Sequence, residues 1–121
     1  MNDTQVKNRL QEMCNNIAQD IAAGITYKEA EMDHEEHGTS PDDSITGFDY
    51  LQDALDIQYI VNGNKEYLAA RVLVSFGGPN IWINTQTQTV EGYWWGDAAF
   101  ASYHGDAMGI DEACRELWGC R

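Results

Sequence analysis

The sequence predicts an α+β fold, with N-terminal helices, a four-stranded antiparallel meander and a C-terminal helix packed on one face of the sheet. Three observations carry that expectation. Apolar residues recur at helical spacing from Val6 to Ile21, the period changes to two at Ile57, and helical spacing returns after Gly109.

Val6, Leu10, Met13, Ile17 and Ile21, with Cys14 beside them, form the stripe of a first helix over about Asp3–Ala23. Asp3 or Thr4 is placed to cap its start, and Gly24 stands where a C-terminal glycine belongs. Thr26-Tyr-Lys-Glu29 is a capping box, in which Thr26 and Glu29 satisfy each other's free amides, and it predicts a short polar helix ending near Gly38. The turn residues of Gly38–Ser44 make a loop. Thr46 then caps a third short helix carrying Phe48, Leu51 and Leu55.

Ile57, Tyr59 and Val61 lead through Asn62-Gly63, the strongest short hairpin signal, into a strand over Tyr67–Phe76. Strict alternation puts Leu68, Ala70, Val72, Val74 and Phe76 on one face, and Tyr67, Arg71 and Ser75 on the other. Ile81–Thr85 and Val90–Trp95 make a second hairpin through a Thr/Gln-rich turn. A loop over Gly96–Gly109 leads to the closing helix, striped by Ile110, Ala113, Cys114, Leu117 and Trp118. The length of 121 residues suits a single domain, 1–121, divided into an acidic helical part (1–56) and the sheet with its helix (57–121).

Twenty Asp and Glu against seven Lys and Arg leave a net charge of −13, which argues against a nucleic-acid binder with a basic face and against a polybasic membrane-surface protein. No apolar run reaches the roughly 18–20 residues of a membrane span, and Met1–Gln11 is polar, without the pattern of a signal peptide. Cys14, Cys114 and Cys120 are too few, and odd in number, for a disulfide framework, so the chain reads as a reduced protein of the cytoplasm.

The charge is uneven. Glu29, Glu31, Asp33, Glu35, Glu36, Asp42, Asp43, Asp49, Asp53 and Asp56 fall in 28 residues without a Lys or Arg. That block holds −10 and leaves −3 on the remainder. Gathering like charges lowers stability, but it also attracts and orients a basic partner. Carboxylates on two short helices and their loop would imitate a row of phosphates; a solvated surface that keeps the chain soluble accounts for the same residues.

Other constellations point less far. In His34-Glu-Glu-His37 the histidines are three apart, whereas the zinc-protease motif needs four, and no Cys-x-x-Cys pair is present, so neither a metal nor a cofactor is expected. A nucleophilic site could be assembled from His104, Asp106 and Cys114 or Cys120, but their spacing matches no pattern. Trp82, Tyr93, Trp94 and Trp95 cluster on adjacent predicted strands, with Trp94 pointing opposite to Tyr93 and Trp95. With helices on one side only, at least one of these large aromatics would lie on the open face as a recognition surface, unless the Gly96–Gly109 loop or a second copy of the chain covers it.

Phe76-Gly-Gly-Pro-Asn-Ile-Trp-Ile-Asn-Thr85, Val90-Glu-Gly-Tyr-Trp-Trp-Gly-Asp97 and Asp53-Ala-Leu-Asp-Ile-Gln-Tyr59 resemble small acidic proteins carried on bacterial phages and plasmids. The resemblance covers roughly residues 50–118. It implies a mobile-element setting and a class, inhibitors of host defence of the anti-CRISPR or antirestriction type, and carries over no catalytic residue. The resulting expectation is a non-enzymatic acidic inhibitor in the bacterial cytoplasm. It would occupy the nucleic-acid site of a basic defence protein such as a CRISPR effector, with no direct contact to nucleic acid or membrane. The alternatives are a small cysteine/histidine-dependent enzyme and a structural homodimer with no defence role.

Overall fold

The computed structural model of the chain describes residues 3–36 and 38–120. Helix α1 (Asp3–Ala23) and the short α2 (Gly47–Leu51) precede five strands, β1 (Asp56–Val61), β2 (Tyr67–Ser75), β3 (Asn80–Asn84), β4 (Thr89–Trp94) and β5 (Asp97–Ser102). Helix α3 (Ile110–Gly119) closes the chain. The strands form one antiparallel sheet in chain order, β1-β2-β3-β4-β5.

The sheet therefore has five strands rather than the four expected, because the segment after Trp95 begins with β5 and not with a loop. Its Asp-Ala-Ala-Phe-Ala-Ser sequence is rich in alanine, which carries little strand propensity. What holds it is pairing: β5 runs against β4 from Thr89↔Ser102 to Trp94↔Asp97, and Ala99 and Ala101 are buried under α1. Trp95 and Gly96 form the two-residue turn between them, both with positive φ (53° and 81°), the backbone of the turn that suits strand twist.

The Asn62-Gly63 hairpin takes a different form from the two-residue turn the dipeptide suggests. Lys65 N–H donates to the Asn62 carbonyl, the Asn62 side chain accepts from the amides of Asn64 and Glu66, and the left-handed residue is Lys65 (φ 63°). Next to this turn the register slips: Ile60 faces Ala69 but Val61 faces Tyr67, so Leu68 is an extra residue. The bulge breaks the expected alternation. Tyr67, expected opposite Ala70, is buried and donates its hydroxyl to the Asp111 carboxylate of α3 (2.6 Å), while Leu68 is exposed. A second slip at Val74, between Leu73↔Trp82 and Ser75↔Ile81, ends the strand before Phe76, which is also exposed.

Both long helices lie on one side of the sheet. α1 packs on β4 and β5, and α3 on β2 and α2. The stripe of α1 is buried from Val6 to Ile21, with Leu10, Cys14, Ala18 and Ile21 in one core cluster with Ile81, Ile83, Val90 and Ala99 of the sheet. Helix α1 already includes Asp3 and Thr4, so neither is its cap, and the position before Asp3 lies outside the described residues. Gly24 closes the helix as expected, with φ 80° and its N–H on the Asp20 carbonyl. Gly92 of β4 faces Leu10 and Cys14 with no room for a side chain.

The capping box is present but opens no helix. Thr26 N–H donates to Glu29 Oε1 and Glu29 N–H to Thr26 Oγ1, both at 3.1 Å, yet Glu31 turns left-handed (φ 56°) and Met32 N–H reaches back to the Tyr27 carbonyl. Turns replace the expected polar helix through residue 36. Tyr27 is the reason: its buried ring fixes the turn in the core, and its hydroxyl donates to Asp49. Thr46 caps α2 as expected, accepting from Asp49 N–H at 3.1 Å, but α2 stops at Leu51. Leu55 instead feeds into the sheet, its N–H donating to the Leu73 carbonyl, and its side chain is exposed.

Candidate functional site

The acidic residues lie on turns, the short α2 and the entry to β1, rather than on two helices. Their carboxylates fall into two groups. One group holds the irregular backbone together. Glu29 closes the capping box, Asp33 accepts from the amides of Glu35 (2.9 Å) and Glu36 (3.3 Å), and Asp43 from Ser40 (2.9 Å). Asp56 accepts from Ile57, and Asp49 takes the Tyr27 hydroxyl, a bond that raises the phenol's pKa.

Glu31, Glu35, Glu36, Asp42 and Asp53 form the second group. They are exposed and make no side-chain hydrogen bond or ion pair among the described residues. Asp49 is the single half-buried member of the ten; the other nine are exposed. Five of the ten carboxylates are thus engaged in hydrogen bonds that order the segment, and five are not. Asp20, from the last turn of α1, adds to this field: burial raises its carboxyl above 3.8, and the charge of Glu29 raises it further.

Only one helix-covered face was expected of the sheet, and the opposite face is indeed the more open. It carries Arg71, Trp82, Glu91, Tyr93 and Phe100. Arg71 lies 4.4 Å over the Trp82 ring and donates to Glu91 at 2.8 Å; Asn84 donates to the other Glu91 oxygen. Trp82 is therefore half-covered by a guanidinium. Tyr93 and Phe100 pack edge to face at 6.0 Å and remain exposed.

The four aromatics expected as one binding set are thus separated. Trp82 and Tyr93 share the open face. Trp94 points to the helix side, half-buried against the core, as its alternation with Tyr93 requires. Trp95 does not continue Tyr93's face, because it has left the strand for the turn, where it is 78% exposed. Phe100 and Arg71 also belong to the open face, and sequence reasoning does not single them out as site residues. Phe100 sits on the Ala-rich β5, whose sequence carries no strand signal that would have placed it beside Tyr93.

Of the residues of the enzyme alternative, His104 is exposed after β5, while Asp106 and Cys114 are engaged in the fold. Asp106 takes the amides of Gly109 (2.9 Å) and Ile110 (3.0 Å) on one oxygen and that of Asp111 (3.0 Å) on the other. It caps α3 from three residues upstream of Gly109, whose left-handed backbone offers no side-chain cap. Cys114 is fully buried, and burial pushes its thiol up to about 12, where almost no thiolate exists at neutral pH. Cys120 is exposed on the far end of α3, and all three cysteines are free. His34 Nδ1 lies 3.1 Å from the Thr39 carbonyl, and His37 lies outside the described residues. No group of three or more His, Cys, Asp or Glu able to hold a metal ion occurs among the described residues, and no described helix is long and apolar enough to cross a membrane. Comparisons with family models, with curated proteins and with solved structures returned no match.

Proposed function

We propose that the chain is a non-enzymatic binding protein of the bacterial cytoplasm, whose acidic segment 29–56 occupies the nucleic-acid site of a basic protein. The mobile-element setting implied by the sequence resemblance makes a CRISPR effector the most concrete target. The observation that supports this reading is the division of labour among the carboxylates. Glu29, Asp33, Asp43, Asp49 and Asp56 stabilise an irregular loop, and that loop presents Glu31, Glu35, Glu36, Asp42 and Asp53 to solvent with no cation in the segment. A pre-formed negative surface steers a basic partner and loses little entropy on binding it. The exposed Tyr93 and Phe100 on the sheet, and Trp95 at its rim, supply apolar contact area.

The test is capture of a bacterial protein on immobilised chain at low salt, with the captured partner identified by mass and challenged with excess nucleic acid. The reading expects capture that weakens steeply with salt, release by nucleic acid, and loss in E31K/E35K/E36K/D42K, which spares the carboxylates that hold the loop. Capture that persists in that variant, or that nucleic acid leaves untouched, would overturn it.

A further inference from the structure

The C-terminal end of α1, the turns over 25–32, the residues of α2 and those just after it, and Val74 of β2 enclose a cleft of about 280 Å³. Ile25, Met32, Ile45 and Val74 supply its apolar lining. Three carboxylates stand around it, Asp20 from α1, Glu29 from the capping box and Asp53 from the chain after α2, and no Lys, Arg or His lines it. Tyr50 forms part of the wall and stays protonated, pushed up to about 12 by burial and by the charges of Asp20 and Asp53. The lining thus combines apolar side chains with three carboxylates of formal charge −3.

We propose that this cleft binds an alkylammonium group, with the aliphatic chain against the apolar lining and the ammonium among Asp20, Glu29 and Asp53. Charge complementarity selects a cation: the lining carries three carboxylates and no Lys, Arg or His, and the charge of Glu29 already adds to the rise of the Asp20 carboxyl. The apolar lining selects an organic cation, since a metal ion would leave its hydration shell against Ile25, Met32, Ile45 and Val74. An ammonium offers three donors to acceptors approaching from three elements, whereas a guanidinium's flat fork suits a single carboxylate. The volume accommodates a short chain, being several times the roughly 30 Å³ that one water occupies in the liquid. This site does not depend on a macromolecular partner for the acidic segment, and goes beyond it.

The experiment is an amide-shift NMR titration of the whole protein with three probes: cadaverine, a capped peptide containing one lysine, and pentane-1,5-diol as the uncharged match. The expected result is saturable shifts at residues 25–32, 50–54 and 74 with an amine Kd on the order of 1 mM, and none with the diol. D20N and D53N should each weaken the amine severalfold, and A54L, which fills the slot with every charge intact, should abolish binding. E35Q/E36Q, outside the cleft, should leave it unchanged. Tighter binding of cadaverine identifies a free amine as the ligand and tighter binding of the peptide a lysine side chain; either supports the site. Shifts that never saturate, equal binding of the diol, or wild-type binding in D53N or in a folded A54L would overturn it.

Discussion

Gly92 of β4 and Cys14 of α1 meet so closely that a methyl group added at Gly92 would stand 2.7 Å from the Cys14 sulphur and 2.8 Å from Leu10 Cδ1. The contact sets how near α1 lies to the sheet. Gly92→Ala must push the helix or twist core side chains off their rotamers, at a cost of about 1–3 kcal/mol. Denaturant unfolding should show a lower midpoint with an unchanged slope.

The β1–β2 and β4–β5 turns respond oppositely to loss of their glycines. Gly63 has open space around it and no positive φ, so Gly63→Ala should be neutral or slightly stabilising. Gly96 also has open space, but its φ of 81° makes Gly96→Ala cost about 1 kcal/mol. Thermal unfolding of both variants checks this, and an equal loss in the two would contradict the turn assignment.

Thiol chemistry should separate the cysteines. Native protein should take one equivalent of an alkylating reagent at Cys120, and denatured protein three. Burial raises both inner thiols, that of Cys114 to about 12, against 9.0 for an ordinary cysteine. Above pH 9 the unfolded chain therefore releases protons that the folded chain keeps. The stability these thiols contribute is whole below pH 9 and falls as pH rises toward 12. Urea midpoints measured from pH 7 to 11 should decline only over the alkaline part, and C114A should flatten that decline even where it lowers the midpoint.

Asp106 is a structural residue in this fold. Asp106→Ala removes acceptors from three amides at the start of α3 and should lower stability by about 1–2 kcal/mol. Asp106→Asn keeps one oxygen for Gly109 and Ile110 and should lose less. The ratio of the two effects, read by chemical denaturation, separates a cap from a charge.

Salt should stabilise the protein. The exposed acids of 29–56 carry like charge with no Lys or Arg among them, and salt screens their repulsion, the Debye length being about 10 Å at 0.1 M. The melting temperature should therefore rise from low to moderate sodium chloride, and the rise should shrink in E31Q/E35Q/E36Q. An unchanged rise in that variant would place the repulsion elsewhere.

Periodicity makes most of the fold legible. The bounds of α1 and the onset of α3 emerge from apolar spacing, because each helix buries one continuous stripe. The strands around Ile57, Val72, Ile83 and Val90 emerge from β-branched alternation. β5 is hidden because tertiary pairing, not propensity, holds an Ala-rich strand. Tyr67 and Leu68 exchange environments because a one-residue bulge inverts sidedness, and no local pattern announces it. The capping box at Thr26 specifies its hydrogen bonds but no helix, since a cap favours initiation while the burial of Tyr27 decides how the chain continues. The acidic segment is visible as charge; which of its members bond their own backbone depends on loop geometry that charge alone does not encode.

Helix α1 comes first in the chain, yet it packs on β4 and β5, the last two strands. Gln11 donates to the Phe100 carbonyl across 89 residues (2.8 Å), which puts the helix beside the free edge of the final strand. During synthesis the meander can grow hairpin by hairpin, but the apolar stripe of α1 has no surface to bury until β4 and β5 have emerged. The stripe of α1 therefore stays unsheltered while the strands between it and its packing surface are made, which slows completion of the fold and leaves Val6, Leu10 and Ile17 open to chaperones in that interval.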